Sequence, residues 1–443
     1  MSDGPLARLR LGLDVPGLWT VVEVADAVVV SHPDVEGFFR PNLVVRRTLD
    51  HRSLPEISAA ALKTALLTLE NCHVFANEPM ILNGHPARAQ RFVCDAGGYS
   101  LVVDRWLTTD GVSAIELTAS YSVVQSLDMT LAMSNIAASL RVEPSEETEA
   151  GASPAERSPR LDDFAGGVAG QPLETLDRFS SGQHYVSEGP VLSLSTINFL
   201  TERSGERRVG RLEWKRYANE VDELRRSGLM DSSGRFSGEL LSYLIPVRTC
   251  RFTLQCAGEQ PGEGSHLTLW VGDGAVLVAA GSSHAALVFG NPEGRVPEGY
   301  ARLDLVGMEG VPGVVASWAG VAPAYSVPAR SPEVHGEALN RRMEGKTPVP
   351  RDDAALRRMW DQPWFRWSWR IEPLGAGADL LNAAAAGHYL PVAVADGAVA
   401  LGALKSGDLW DGLVHTYVSA LAELPPREAS GEAHRGGNQR GRD

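Results

Sequence analysis

Residues 143 to 163 read EPSEETEAGASPAERSPRLDD and hold almost no large apolar side chain. A stretch like this buries too little surface to offset the entropy of ordering it. It therefore divides the 443-residue chain into two folded regions. The expected organisation is a first domain over 1–142, a disordered linker over 143–163, a second domain over 164–424 and a disordered tail over 425–443. The tail, PPREASGEAHRGGNQRGRD, is polar and Gly-rich. Hydrophobic residues make up 44% of the chain, enough for sizeable cores in both folded regions.

The charge balance narrows the partners. Lys+Arg 41 against Asp+Glu 55 gives a formal charge of −14. This argues against nucleic acid, whose binding needs a basic footprint to displace counterions, and against an anionic membrane face. The N-terminus, MSDGPLARLRLGLDVPGLW, has no apolar run of signal-peptide length, and no window suits a membrane-spanning helix. The expectation is a cytoplasmic protein with no membrane insertion. Four cysteines, Cys72, Cys94, Cys250 and Cys256, are too few for a disulfide framework and read as buried free thiols.

In the first region, Trp19–Val24, Ala27–Val30 and Leu43–Arg47 are rich in β-branched residues and read as strands. Ser53 and Glu56 have capping-box spacing, with Pro55 suited to a first helical turn. Ile57, Ala61, Leu62, Leu66 and Leu69 then recur on one helix face. Strands follow near 86–95, 99–107 and 113–121. The turn residues Gly97-Gly98 and Asp110-Gly111 separate them. A last helix near 126–140 places Met129, Met133, Ile136 and Leu140 together. These elements define an α+β domain, an antiparallel sheet packed with two helices.

The second region opens with expected strands near 184–200, then an amphipathic helix over Glu213–Ser227 closed by Gly228. A short helix near 237–244 and a strand near 249–256 come next. His266–Val271, Gly272-Asp273-Gly274 and Ala275–Ala280 form a hairpin pattern. Asp273-Gly-Ala-Val276 recurs as Asp396-Gly-Ala-Val399, each copy between apolar strands, and the second leads into a helix over Leu409–Leu421. The echo suggests two related sheet subdomains in a pseudo-two-fold arrangement.

Catalytic and cofactor motifs are absent from the sequence. Glu344-Gly-Lys-Thr347 lacks the first glycine of a phosphate loop, and Pro348 and Pro350 block the helix that loop needs. No nucleophile elbow or dinucleotide fingerprint occurs. No two of the eleven histidines lie three to five residues apart, which excludes a helical metal pair. The reading is a non-enzymatic chain without catalytic residues, cofactor or metal. The most unusual segment is Trp360-Asp-Gln-Pro-Trp-Phe-Arg-Trp-Ser-Trp369. Trp360, Trp364, Trp367 and Trp369 fit either a core seam between subdomains or an aromatic groove for a partner helix. Trp364→Ala separates the two: a groove residue loses partner capture, whereas a core residue loses stability.

Two resemblances add to this reading. Asn83-Gly-His-Pro-Ala87, the paired strands, Glu116-Leu-Thr-Ala-Ser120 and Ile136-Ala-Ala-Ser-Leu-Arg141 resemble the LpqN-like branch of the PsbP-like fold, over about the first third of the chain. That resemblance implies a binding or accessory module. The second region resembles the EspG-type chaperones of type VII (ESX) secretion. The likeness runs through the helix ending Leu224-Arg-Arg-Ser-Gly-Leu-Met-Asp-Ser-Ser-Gly-Arg235, the Asp-Gly hairpin and the late Asp396–Leu421 unit. It implies a pseudo-two-fold α+β fold and a cytosolic chaperone or adaptor that binds helical secretion substrate proteins. The alternative is a module for a small molecule or an unrelated protein outside secretion.

Overall fold

The computed structural model describes residues 5–34, 36–143, 179–324, 332–345 and 354–424. The linker expected over 143–163 and the tail over 425–443 lie outside the described residues, apart from Glu143.

The first region holds α1 (Pro5–Arg8), β1 (Leu11–Gly12), β2 (Thr20–Val24), β3 (Ala27–Ser31) and β4 (Asn42–Leu49). Next come α2 (Leu54–Thr68), β5 (Glu70–Leu82), β6 (His85–Ala96), β7 (Tyr99–Thr109), β8 (Ser113–Ser122), α3 (Ser126–Ala138) and β9 (Arg141–Val142). Seven strands form one antiparallel sheet in the order β2-β3-β4-β8-β7-β6-β5. The capping box opens α2: the Ser53 N–H and hydroxyl donate to Glu56 Oε2 at 2.8 and 2.7 Å. Ile57 and Leu62 are buried, while Leu66 stays partly exposed. Strand β5 has no counterpart in the sequence reading. Its alternation is broken by Asn77, Glu78 and Pro79, and Asn77 is buried because it accepts from the Ser58 hydroxyl at 3.3 Å.

The second region holds α4 (Phe179–Gly182), β10 (Val191–Ser193), α5 (Leu194–Glu202), α6 (Arg211–Arg216), α7 (Ala218–Arg226), α8 (Gly238–Arg248), β11 (Phe252–Gln260), β12 (Glu263–Val271) and β13 (Val276–Ala280). It continues with α9 (His284–Phe289), β14 (Tyr300–Val306), α10 (Val311–Ala319), β15 (Glu333–His335), α11 (Gly336–Met343) and α12 (Ala354–Trp360). The last elements are β16 (Phe365–Glu372), β17 (Ala376–Asn382), β18 (His388–Ala393), β19 (Ala398–Leu404) and α13 (Ser406–Glu423).

Two expectations change here. The strands expected near 184–200 shrink to β10: residues 184–190 are irregular, and 194–200 belong to helix α5. Leu192-Ser-Leu-Ser-Thr-Ile alternates like a strand, but Ser193 Oγ accepts from the Thr196 N–H and Glu223 accepts from the Ser193 N–H and hydroxyl. Those local bonds fix a helix N-terminus. The single helix expected over 213–227 is two, because Tyr217 leaves helical backbone at φ −121° and ψ 46°.

Ten strands form the second sheet, ordered β10-β14-β13-β12-β11-β16-β17-β18-β19-β15 and antiparallel where they pair. Reading outward from the β11–β16 pair, the two halves repeat the same order of strands. β10 leads into α5 as β15 leads into α11, and β14 precedes α10 as β19 precedes α13. The pseudo-two-fold arrangement is therefore present. The Asp-Gly-Ala-Val echo is not its signature. One copy lies in the β12–β13 turn and the other in the β18–β19 turn, whereas symmetry relates β12–β13 to β17–β18.

The two regions share a core, which replaces the freely reorienting domains that a flexible linker suggests. Phe75 of β5 stacks on Trp410 of α13 at 4.3 Å. Arg91 of β6 donates to both Asp411 oxygens at 2.8 and 2.9 Å, and it also pairs with Asp104. Between the sheets, the buried segment Ala319–Ala322 begins with the last residue of α10. Asn382 Nδ2 donates to the Ala319 and Gly320 carbonyls at 3.0 and 2.9 Å. His73 Nε2 donates to Val321 O at 2.7 Å, and the Ser406 hydroxyl to Ala322 O at 2.8 Å. His388 also bonds Ala322. A β-carbon on Gly320 would lie 2.1 Å from His284 Nδ1.

Trp360, Trp364, Trp367 and Trp369 are 3%, 2%, 2% and 4% exposed. They form core, not an open groove. Trp367 and Trp369 face the core shared by both regions, while Trp360 and Trp364 meet edge to face at 4.8 Å in a cluster with Met359, Leu381 and Leu401. Trp364 Nε1 donates to Met359 O at 2.8 Å. Trp364→Ala should cost about 3–5 kcal/mol of stability in denaturant titration, the range for a large aromatic removed from a core.

A second expectation concerns acid. Burial holds His73 and His388 down to about 4 and His284 down to about 3, the nearby His388 adding to the last. These rings stay neutral in the folded chain and take protons in the unfolded chain below its ordinary value near 6.5. Their contribution is complete above that value and is lost as pH falls towards 4, at up to about 1.4 kcal/mol per pH unit per ring. The melting temperature should drop by at least about 5 °C between pH 7 and pH 5. His73→Gln should flatten that slope.

Candidate functional site

A cavity of about 720 Å³ opens where the first sheet meets the second region. One wall comes from β5, β6 and β7, through Asn71, Cys72, His73, Val93, Cys94, Asp95 and Ser100. The other comes from residues 182–188, the end of β14, the turn before α10, and Gly313, Val314 and Ser317 of α10. Gln183 ties the walls together: its side chain accepts from Val74 N at 2.6 Å and donates to Val74 O at 2.8 Å, as a neighbouring strand would.

The polar groups are held by short contacts. Asp95 accepts from Asn71 Nδ2 at 2.6 Å and from the Ser100 hydroxyl at 2.7 Å. Tyr185 donates its hydroxyl to Asp304 at 2.5 Å, and burial with the adjacent carboxylate keeps that phenol protonated. His184 Nδ1 lies 3.1 Å from Asn291 Nδ2, and its Nε2 lies 3.3 Å from Glu293. Glu309 is half-buried, and burial raises its carboxyl above the usual range against the opposing Ser100 backbone donor.

Neither Cys72 nor Cys94 is an activated nucleophile. Burial pushes Cys72 up to about 12 and Cys94 up to about 11, so both remain thiols at neutral pH rather than nucleophilic thiolates. Cys94 and Cys256 are buried, and Cys72 and Cys250 partly so. Among the described residues no group of three or more His, Cys, Asp or Glu is placed to hold a metal, and no helix is long and apolar enough to cross a membrane.

The sequence reading named Leu66, Cys72 and Cys94 only as helix face and buried thiols, and marked none of the lining residues as a site. They run from Leu66 to Ser317 and meet only through docking of the two regions, so no local spacing marks them. Trp360, Trp364, Trp367 and Trp369 take no part in lining this cavity.

A second feature is a strip along β18 and the residue that follows it. Leu390, Val392 and Val394 are 39%, 47% and 41% exposed on one sheet face. They lie beside Gly402, Ala400 and Ala398, small residues that leave the strip flat. By strand order and register their pseudo-symmetric counterparts are Val278, Ala280 and Ser282, all buried. The halves differ because β13 runs on to α9 before β14, whereas only Val394–Gly397 separate β18 from β19.

No family model matches the chain. No curated protein matches it either. Solved structures show weak likeness over the N-terminal ~30% of the chain. LpqN of Mycobacterium tuberculosis, described as involved in cell envelope biogenesis, is 16% identical, covers 30% of this chain and 83% of its own, with a TM-score of 0.26. Cyanobacterial PsbP (CyanoP) from Synechocystis sp. PCC 6803 is 15% identical, covering 32% and 98%, with a TM-score of 0.25. A Pseudomonas aeruginosa protein of unknown function, a putative regulator, is 13% identical, covering 29% and 100%, also at 0.25. Scores this low carry no argument about activity or partners. The EspG-type reading of the second region has no counterpart among these three.

The thiols offer a direct check. In the native protein at pH 7, Cys72 and Cys94 should react with a disulfide reagent at least about a hundredfold more slowly than free cysteine. All four should react promptly in denaturant.

Proposed function

We propose that this chain is a non-enzymatic, cytoplasmic adaptor that binds an apolar helical segment of a partner protein. Its partners are then helical substrates of type VII secretion, as the EspG-type resemblance of the second region implies. The observation that carries this reading is the uncovered strip Leu390, Val392 and Val394, set where the other half of the same sheet is buried. Three neighbouring exposed apolar side chains on a flat face suit the apolar side of a helix. Covering them contributes roughly 25 cal/mol per Å² of apolar surface removed from water. The acidic balance of the chain keeps such a complex soluble.

The test is capture by the tagged full chain from its own host, with mass spectrometry of what co-elutes. Small helical secretion substrates near equal stoichiometry are the expected result. Leu390→Asp with Val392→Asp should abolish their recovery while shifting the melting temperature by less than about 2 °C, because the strip faces solvent. Undiminished recovery by the double variant would sink the strip as the binding surface.

The junction cavity favours a second reading, a module that binds a small molecule. Its volume lies within the range of ligand sites, and its wall mixes apolar side chains with a few fixed polar groups. A thermal-shift screen of a chemically mixed fragment set tests it: at least one class should stabilise the native chain and lose that effect in Gly313→Phe, which fills the cavity.

A further inference from the structure

We propose that the junction cavity is a site for an organic cation, an amine carried on an apolar body. The inference rests on the small-molecule reading above. Among the described residues, four carboxyl groups line the cavity, Asp95, Glu188, Asp304 and Glu309, and no lysine or arginine does. The hydrogen-bond donors to three of them are neutral: Asn71 and Ser100 for Asp95, Tyr185 and the Leu305 backbone for Asp304, and the Ser100 backbone for Glu309.

Several carboxylates elsewhere in the fold meet arginine, although Glu223 is held by the neutral donors of Ser193 and Thr196. Asp104 and Asp411 share Arg91, Asp110 sits against Arg47, and Glu116 against Arg105. Partly buried carboxylates lose solvation, and an adjacent positive charge restores what they lose. Among the described residues around the cavity, no lysine or arginine supplies that charge. Like charges gathered around a concave wall also focus an attractive field for cations. Leu66, Val93, Val306 and Val314 supply apolar surface beside the carboxyls, so a compact hydrated ion fits the wall less well than an amine with a ring or chain.

Three isosteric probes read the charge preference directly by calorimetry on the full chain: benzylamine, benzyl alcohol and benzoate. Benzylamine should bind at least about tenfold more tightly than benzyl alcohol, and benzoate should not bind. Asp95→Asn with Glu309→Gln should weaken benzylamine about tenfold or more while leaving the affinity of benzyl alcohol unchanged. Where that double variant fails to fold, Glu188→Gln, at an exposed position, replaces it. Equal or tighter binding of the alcohol or the acid overturns the cation inference and leaves the cavity reading standing. Benzylamine binding that the variants do not weaken also overturns it, since the amine is then held elsewhere. If none of the three probes binds, the cation inference fails, and the mixed fragment screen with Gly313→Phe decides separately whether the cavity binds anything.

Discussion

Four consecutive peptide carbonyls, those of Ala319 to Ala322, lie in the interior between the two sheets and must find donors there. A buried carbonyl without a partner costs on the order of 1–3 kcal/mol. Here the donors come from β5, β17, β18 and α13. One stretch of backbone therefore fixes elements separated by more than three hundred residues of sequence. The relative placement of the regions and the cavity between them follow from that requirement.

The aromatic content serves the same packing. Phe75 against Trp410 joins the first sheet to the last helix, and Trp318, Trp367 and Trp369 fill the space beneath. Among the described residues, the indole nitrogens of Trp360, Trp367 and Trp369 have no hydrogen-bond partner. Three indole rings placed without that compensation are there for volume. This is the physical reason a segment that looks suited to recognition in sequence serves instead as core.

Much of the fold was legible because local signals agreed. The hairpins from β6 to β8 combine alternation with turn glycines, and α2 combines a capping box, an N-terminal proline and helical periodicity. Misreadings arose where local pattern and local hydrogen bonding disagreed, as at Ser193, or where a polar residue was buried with a partner, as at Asn77 in β5. The pseudo-two-fold arrangement was inferred correctly from a tetrapeptide echo that has nothing to do with it, since the true correspondence lies in strand order and not in shared residues. The cavity was not legible at all. Its carboxyls, hydroxyls and thiols are ordinary in isolation and acquire meaning only when β5 meets residues 182–188.

That junction has a thermodynamic consequence. Because the cavity takes one wall from each region, a ligand that touches both walls binds only the docked arrangement. Its binding free energy is then shared with the contacts made by His73, Gln183 and Arg91, and occupancy and docking become linked equilibria, each raising the other. A chain built this way can report the presence of a small molecule as a change in how firmly its two halves hold together, with no moving part beyond the interface itself.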